Sequence, residues 1–95
     1  MAFDMLTSDD KEFLRRFGEA VRARRKEQGL SQEAFADEVP LYRSYVADVE
    51  RGSRNVGLVN ALRIAQALGL SLSQLIGDAE PGEPPAREAS ERSAP

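Results

Sequence analysis

Residues 30–52 read LSQEAFADEVPLYRSYVADVERG, a pattern that indicates two short helices separated by a tight break. Ser31 is a favourable N-cap because its hydroxyl can accept a hydrogen bond from a free amide of the first turn. Pro40 disfavours helical geometry at the residue before it, so it ends the first helix. The second helix is predicted to span Tyr42–Arg51 and to stop at Gly52. The segment therefore has the outline of a helix-turn-helix.

Apolar residues recur at helical spacing in both predicted helices. Residues three or four positions apart lie on one helix face, where they can pack against the rest of the chain. The predicted core contacts of the motif are Phe35, Ala36, Val39, Val46 and Val49.

The composition of the chain excludes several classes of function. Its 95 residues suffice for one domain with a modest core. Cysteine and histidine are absent, which removes disulfides, thiolate nucleophiles, imidazole bases and the usual zinc ligands, so we expect no metal and no cofactor. No apolar run approaches the roughly 20 residues of a membrane span, and the N-terminus lacks a signal pattern. We therefore expect a cytoplasmic protein without a membrane partner.

Charge is distributed unevenly along the chain. The net charge is −3, and residues 77–95 account for all of it with five acids and two bases. Residues 1–76 are neutral overall, and removing Asp4, Asp9 and Asp10 leaves residues 11–76 at +3. Local clusters decide which surface meets a charged partner. The acidic total is therefore compatible with a nucleic-acid-binding surface.

Further helices are predicted on both sides of the motif. A long helix capped by Thr7 or Ser8 should reach Gln28, with an apolar stripe of Phe13, Phe17 and Val21 and with Leu14 beside it. A fourth helix is expected over residues 57–68, and a capping box of Ser71 and Gln74 should begin a fifth. The residues of the fourth helix that are expected to face the core are Leu58, Leu62, Ala65 and Leu68.

The predicted organisation is one helical domain with two unstructured ends. Five helices with tight connections indicate an all-α fold over residues 8–76. Residues 1–7 are expected to form a flexible N-terminal arm. Residues 77–95 are rich in Pro and acidic residues and hold no aliphatic side chain larger than alanine. They cannot bury enough surface to offset their ordering entropy, so a disordered C-terminal tail is expected.

These motifs resemble the helix-turn-helix family of the phage repressor and Cro (XRE-like) type. The resemblance covers about residues 13–76 and rests on the runs Leu30-Ser31-Gln32, Phe35-Ala36, Ser44-Tyr45-Val46 and Val49-Glu50-Arg51-Gly52. Within the family, the run from Arg54 to Asn60 is most similar to the small controller proteins of restriction-modification systems. The resemblance implies a lambda-repressor-like five-helix domain. It also implies a transcription regulator, as repressors and controller proteins are, that binds double-stranded DNA.

In such a family the second helix of the motif enters the major groove with its leading residues. Arg43 is the strongest candidate, since its guanidinium can span guanine O6 and N7, worth about 1–3 kcal/mol of discrimination. Asp48 can accept from a cytosine amine, repel wrong bases or remain a solvated acid, and the sequence leaves these alternatives open. The residues offered for base reading are Tyr42, Arg43, Ser44, Ala47 and Asp48.

Other polar residues are candidates for the DNA backbone. The resemblance implies a phosphate contact for Gln32, and Tyr45 is expected to pack mainly in the core while its hydroxyl can reach the backbone. The loop after the second helix adds Ser53, Arg54 and Asn55. The resemblance also implies a partly buried ion pair between Arg25 and Glu50 that fixes the angle of the reading helix.

Two positions depart from the family pattern. Pro40 stands where glycine is common in the turn, and proline cannot adopt a positive φ. Tyr42 stands where serine or threonine usually caps the reading helix, so that cap should be weaker. The placement of Arg43 and Ser44 should therefore differ in detail from the family's.

The last two predicted helices hold more apolar residues than one core face needs. Regulators of this class multiply specificity by two-fold symmetry, with reading helices about 34 Å apart on an inverted repeat. We therefore expect an isologous homodimer. The predicted interface residues are Val59, Ile64, Leu70, Leu72 and Ile76.

Two other functions compete with a regulator. An antitoxin-like or adaptor protein would use the same fold chiefly to bind another protein. An enzyme would have to act through carboxylates alone, and the sequence places no pair of them in a plausible cleft, so we expect none.

Overall fold

The computed structural model describes residues 5–81, and within them the chain forms five helices and no strand. They are α1 (Ser8–Glu27), α2 (Gln32–Glu38), α3 (Arg43–Arg51), α4 (Leu58–Ala67) and α5 (Leu72–Ala79). The predicted all-α fold is confirmed. Most of the predicted N-terminal arm, residues 1–4, and most of the predicted tail, residues 82–95, lie outside the described residues.

The helix starts follow the capping chemistry of the sequence. Thr7 and Asp10 form a capping box before α1, each side chain accepting from the other's backbone amide at 3.0 Å. The Ser31 hydroxyl accepts from a free amide at the start of α2. Ser71 and Gln74 form the predicted capping box of α5. Local sequence therefore sets where these three helices begin.

The core lies between α1 and the remaining helices. α1 packs against α3 and α5, α2 packs against α3, and α4 packs against α5. The largest side chains buried there are Phe35, Ile64, Leu75, Val21, Val46 and Val49. Truncating one such aliphatic or aromatic group to alanine typically costs about 2–5 kcal/mol. The motif α2–α3 therefore rests on a support that α1 and α5 build together.

The buried face of α4 differs from the predicted one. Leu58 is 74% exposed and Leu62 is also exposed, although both were expected to face inward. The residues that pack inward are Ala61, Ile64, Ala65 and Leu68. This helix is apolar on more than one side, so periodicity alone could not choose the face. The apolar residues on the outer face of α4 can be buried only against a second surface.

The last helix is longer than the sequence suggested. α5 passes through Gly77 and ends at Ala79, three residues beyond the expected limit at Ile76. Ala79 is fully buried, and Asp78 accepts a hydrogen bond of 3.1 Å from Arg24 of α1. Packing and this cross-helix contact continue the helix where a glycine alone would favour its end.

The turn before α3 accommodates both departures from the family pattern. Of residues 5–81 only Gly29, Gly52 and Gly69 have positive φ, so the chain passes Pro40 without a left-handed residue. Tyr42 occupies the N-cap position of α3 but makes no capping hydrogen bond with its side chain. The leading turn of α3 is therefore capped less strongly than that of α2.

Candidate nucleic-acid interface

The leading end of α3 projects away from the core. Tyr42 is 85% exposed, and Arg43 and Ser44 are exposed beside it. One turn further along, Val46 and Val49 are buried. The helix is therefore held by its apolar face while its first residues remain open to a partner.

A concavity of about 570 Å³ runs along α3 from this end of the helix to its last turn. Its lining combines the base-reading candidates Arg43, Ser44, Ala47 and Asp48 with Arg22, Arg25, Gln32, Glu50 and Arg51. Arg22 and Arg43 form no hydrogen bond or ion pair within residues 5–81. Two unneutralised guanidiniums therefore stand at one surface, where they favour an anionic partner.

The floor of the concavity is the Arg25–Glu50 pair. Arg25 donates to both carboxylate oxygens, from Nε at 2.6 Å and from Nη2 at 2.9 Å, and a third N–H bonds the Leu30 carbonyl at 2.7 Å. The two side chains are only 8% and 3% exposed. The hydrogen bond to Glu50 raises the pKa of Arg25, and burial opposes that rise. The structure thus brings together the two residues that the resemblance paired, and joins α1 to the end of α3.

Gln32 belongs to the same network. Its side-chain amide donates to Glu50 at 3.0 Å and is partly buried. On this side chain, the predicted phosphate contact must therefore come from the second amide hydrogen, because a DNA phosphate can only accept. Gln32 also fixes α2 against α3 through Glu50.

The trailing end of α3 carries a second charged cluster. Asp48 accepts hydrogen bonds from Arg51 and from Nη2 of Arg54, the latter at 3.0 Å. The Ser53 hydroxyl donates to the Asp48 backbone carbonyl at 3.2 Å. Asn55 is exposed in the same loop. Asp48 is thus bound by two arginines of its own chain.

Tyr45 connects this cluster to α4. The guanidinium of Arg54 lies over the Tyr45 ring, 4.6 Å from its centre, an arrangement typical of a cation–π contact. Asn60 donates to the Tyr45 hydroxyl at 3.1 Å. Tyr45 is half-buried, so its ring packs in the protein while its hydroxyl already has a partner.

Sequence reasoning missed Gly18, and it did not predict the close approach at Gly52 or the position of Arg22 beside Arg43. A Cβ on Gly18 would lie 2.2 Å from the Val49 carbonyl oxygen, so only glycine lets α1 approach α3 this closely. Gly52 combines a φ of 75° with a similar approach to the backbone of Arg15. Arg22 lies one turn before Arg25 on the same helix face. A glycine inside a helical pattern was the available signal for Gly18.

The predicted interface residues fall into two groups. Val59 is exposed, and Leu70, Leu72 and Ile76 are half-buried. Ile64 is 1% exposed and packs within the chain's own core, so its side chain is not available to a partner and the expectation for it was wrong. Because α4 buries a different face from the predicted one, Leu58 and Leu62 are exposed next to Val59.

Residues 5–81 contain neither a membrane-spanning helix nor a cluster of metal ligands. None of the helices in this range is long and apolar enough to cross a bilayer. Nor do three or more potential metal-ligating side chains come together there.

Known proteins share this fold and these motifs. The helix-turn-helix family matches residues 21–75. Control protein C.MunI of a Mycoplasma species is 47% identical over 66 residues, covering 68% of this chain and 89% of that protein. Control protein C.BamHI of Bacillus amyloliquefaciens is 44% identical over 61 residues, covering 63% and 75%. These relatives confirm the resemblance inferred from the sequence.

A solved structure agrees with the sequence relatives. The restriction-modification controller protein C.AhdI from Aeromonas hydrophila superposes with a TM-score of 0.63 at 50% identity. The match covers 65% of this chain and 94% of that one. The chain therefore belongs to the helix-turn-helix family of DNA-binding transcription regulators, and it is not an enzyme.

Proposed function

We propose that α3 enters the major groove of an operator and reads it with Tyr42, Arg43, Ser44 and Ala47. The observation that carries this proposal is the free, exposed Arg43 at the leading end of a helix whose other end is fixed. Arg43 would donate to guanine O6 and N7, contributing about 1–3 kcal/mol of discrimination. Ser44 can donate or accept, and Ala47 can contact a thymine methyl group.

The phosphate contacts are proposed on both sides of this helix. Gln32 and Arg22 flank its leading end, and each presents polar hydrogens to the concavity. Beyond its trailing end lie Ser53, Arg54 and Asn55. The Tyr45 hydroxyl, which accepts from Asn60, can still donate to a phosphate. Contacts of this kind fix register and orientation, while the base contacts supply sequence preference.

The regulator is proposed to act as a homodimer on an inverted repeat. Leu58, Val59 and Leu62 form an exposed apolar strip on α4, and half-buried Leu70, Leu72 and Ile76 of the α5 region extend the candidate surface. A contiguous apolar surface of this kind is typical of an association site. Two-fold symmetry would then present two copies of α3 to half-sites about 34 Å apart.

We propose that the regulated genes belong to a restriction-modification system. Two relatives at 47% and 44% identity are named control proteins, and the superposed structure at 50% identity is a restriction-modification controller. Sequencing the genes on either side of this one tests the proposal. A restriction endonuclease gene and a methyltransferase gene are expected there, and a toxin gene would contradict it.

Selection from a random duplex pool tests the DNA-reading proposal. The native chain should enrich an inverted repeat, and Arg43→Ala should relax the preference at one base pair of each half-site. Arg16→Ala is the matched control, because Arg16 lies on the opposite side of α1 and its acceptor Glu12 keeps Arg15 as a partner. Enrichment of no common sequence by the folded native chain would overturn the proposal.

The dimer surface is tested separately by sedimentation. Val59→Glu should yield monomers, because it places a charge in the middle of the apolar strip. Glu33→Gln, an exposed change on α2, serves as the control and should leave the sedimentation coefficient unchanged. A Val59→Glu chain that sediments like the native one would place the interface elsewhere.

A further inference from the structure

Four arginines around α3 fall into two kinds. Arg22 and Arg43, near its leading end, form no ion pair within residues 5–81. Arg51 and Arg54, near its trailing end, both bond the carboxylate of Asp48. The first two are available to any phosphate that approaches. The second two share one carboxylate, so Asp48 occupies part of their donor capacity and offsets part of their charge.

Arg54 is held from two sides. Its Nη2 donates to Asp48 at 3.0 Å, and its guanidinium lies 4.6 Å from the centre of the Tyr45 ring. The ring is itself fixed, because its hydroxyl accepts from Asn60 at 3.1 Å. A guanidinium between a carboxylate and an aromatic face has little freedom to follow an arbitrary phosphate.

Asp48 is poorly placed for a base contact of its own. Its side chain is only 27% exposed, and both carboxylate oxygens already accept from arginine. Each oxygen has a second acceptor position, so a cytosine amine would have to share the carboxylate with two cationic donors. Because the two guanidiniums already offset the charge of this carboxylate, it attracts a further neutral donor less strongly.

We propose that Asp48 is a specificity-determining residue, which holds Arg51 and Arg54 away from the phosphates of non-operator DNA. The proposal rests on the DNA-reading function proposed above and names a residue that controls how that same site binds DNA. With Asp48 the three side chains carry a net charge of +1, and without it two free guanidiniums face the backbone. Non-specific affinity is almost entirely electrostatic, so the carboxylate lowers it. On an operator, base contacts by Arg43 hold the duplex in the register that lets Arg54 exchange partners.

The test uses a mixed-sequence duplex, so its outcome does not depend on finding an operator. Asp48→Asn should steepen the dependence of log affinity on log salt by about 0.9 for each phosphate gained, for one or two phosphates. The loss of affinity between about 50 and 200 mM salt should then grow about 3.5-fold per phosphate. Asp48→Glu keeps the charge and should keep the native salt slope.

Asp9→Asn is the matched control for the charge change. Asp9 is exposed in the first turn of α1, about 20 Å along the helix from Arg22 at 1.5 Å per residue. The Asp9→Asn change should leave the salt slope of non-specific binding unchanged. Equal slopes for Asp9→Asn and Asp48→Asn, or weaker non-specific binding by Asp48→Asn, would overturn the proposal.

A second comparison keeps the proposal testable if Asp48→Asn does not fold. Arg22→Ala should lower the non-specific salt slope by about 0.9, whereas Arg54→Ala should change it far less. Equal losses would overturn the role of Asp48. Failure of the DNA-reading function is a different result, namely the absence of an enriched sequence in the selection with the native chain.

Discussion

The two ends of α3 differ in almost every physical respect. The leading end is exposed, lacks a side-chain cap from Tyr42 and presents an unpaired Arg43. The trailing end is closed by Gly52 in the left-handed region, tied to α1 by the Arg25–Glu50 pair and neutralised in part by Asp48. A reading helix must reach a partner without changing its angle. In this chain the stabilising contacts are concentrated at the end that does not read.

The largest expected effect comes from breaking the buried pair at the trailing end. Glu50→Ala leaves Arg25 charged and buried without its carboxylate, and should lower the free energy of unfolding by about 3–5 kcal/mol. Urea unfolding measures the loss. Glu19→Ala removes an exposed partner of Arg15 and should cost less than about 1 kcal/mol. Similar losses for the two variants would mean that the pair does not anchor α3.

The close approach of α1 to α3 should be the next most sensitive feature. Gly18→Ala forces a methyl group against the Val49 carbonyl, 2.2 Å away, and should cost at least about 1–3 kcal/mol of unfolding free energy. Gly77→Ala in α5 is the control, because its Cβ meets nothing within 4 Å. It should stabilise the chain by about 0.5–1 kcal/mol. Stabilisation by both changes would contradict the close approach.

The leading end can be strengthened rather than broken. Tyr42→Ser should add an oxygen that accepts from a free amide of the first turn of α3, raising the free energy of unfolding by about 1 kcal/mol. Tyr42→Ala removes the same ring without adding the acceptor and should give no such gain. Equal stability of the two variants in urea would show that the leading turn is already satisfied.

The smallest effect on stability is expected at Glu12, on the surface of α1. Hydrogen bonds from Arg15, and then from Arg16, lower the pKa of Glu12 from 4.5 to about 2. The native carboxylate therefore stays ionised after the unfolded chain has taken up a proton. Its stabilising contribution is complete above pH 4.5 and disappears as the pH falls to about 2.

That prediction is checked by comparing the native chain with Glu12→Gln in urea. The difference between their midpoints should be small at neutral pH and should vanish near pH 2. Glu33→Gln is the exposed control. A difference that grows as the pH falls would contradict the lowered pKa.

Much of the fold follows from local sequence because its signals are local. Ser31, the Ser71–Gln74 box and Gly52 each act on the backbone within a few residues, so the helix ends could be predicted from them. The inward face of α4 could not be predicted in this way, because Leu58, Ile64 and their neighbours make most of the helix surface apolar. The end of α5 at Ala79 depends on burial against other helices, which no local signal carries.

The same distinction between local signals and tertiary packing applies to the candidate site. The exposure of Arg43 follows from the spacing of Val46 and Val49, which fixes the opposite face of α3 in the core. The pairing of Asp48 with Arg51 and Arg54 depends on which of several nearby cations a surface carboxylate meets, and sequence spacing leaves that open. The role of Gly18 depends on the distance between two helices, which periodicity does not encode.

The leading end of α3 is proposed to lie in the major groove of operator DNA. The most direct test is an NMR titration of the labelled 95-residue chain with a duplex enriched by selection. Intermolecular contacts are expected between the Arg43 side chain and base protons, with the largest shifts in residues 42–47. Contacts confined to α4 and α5, with Arg43 unperturbed, would contradict this placement.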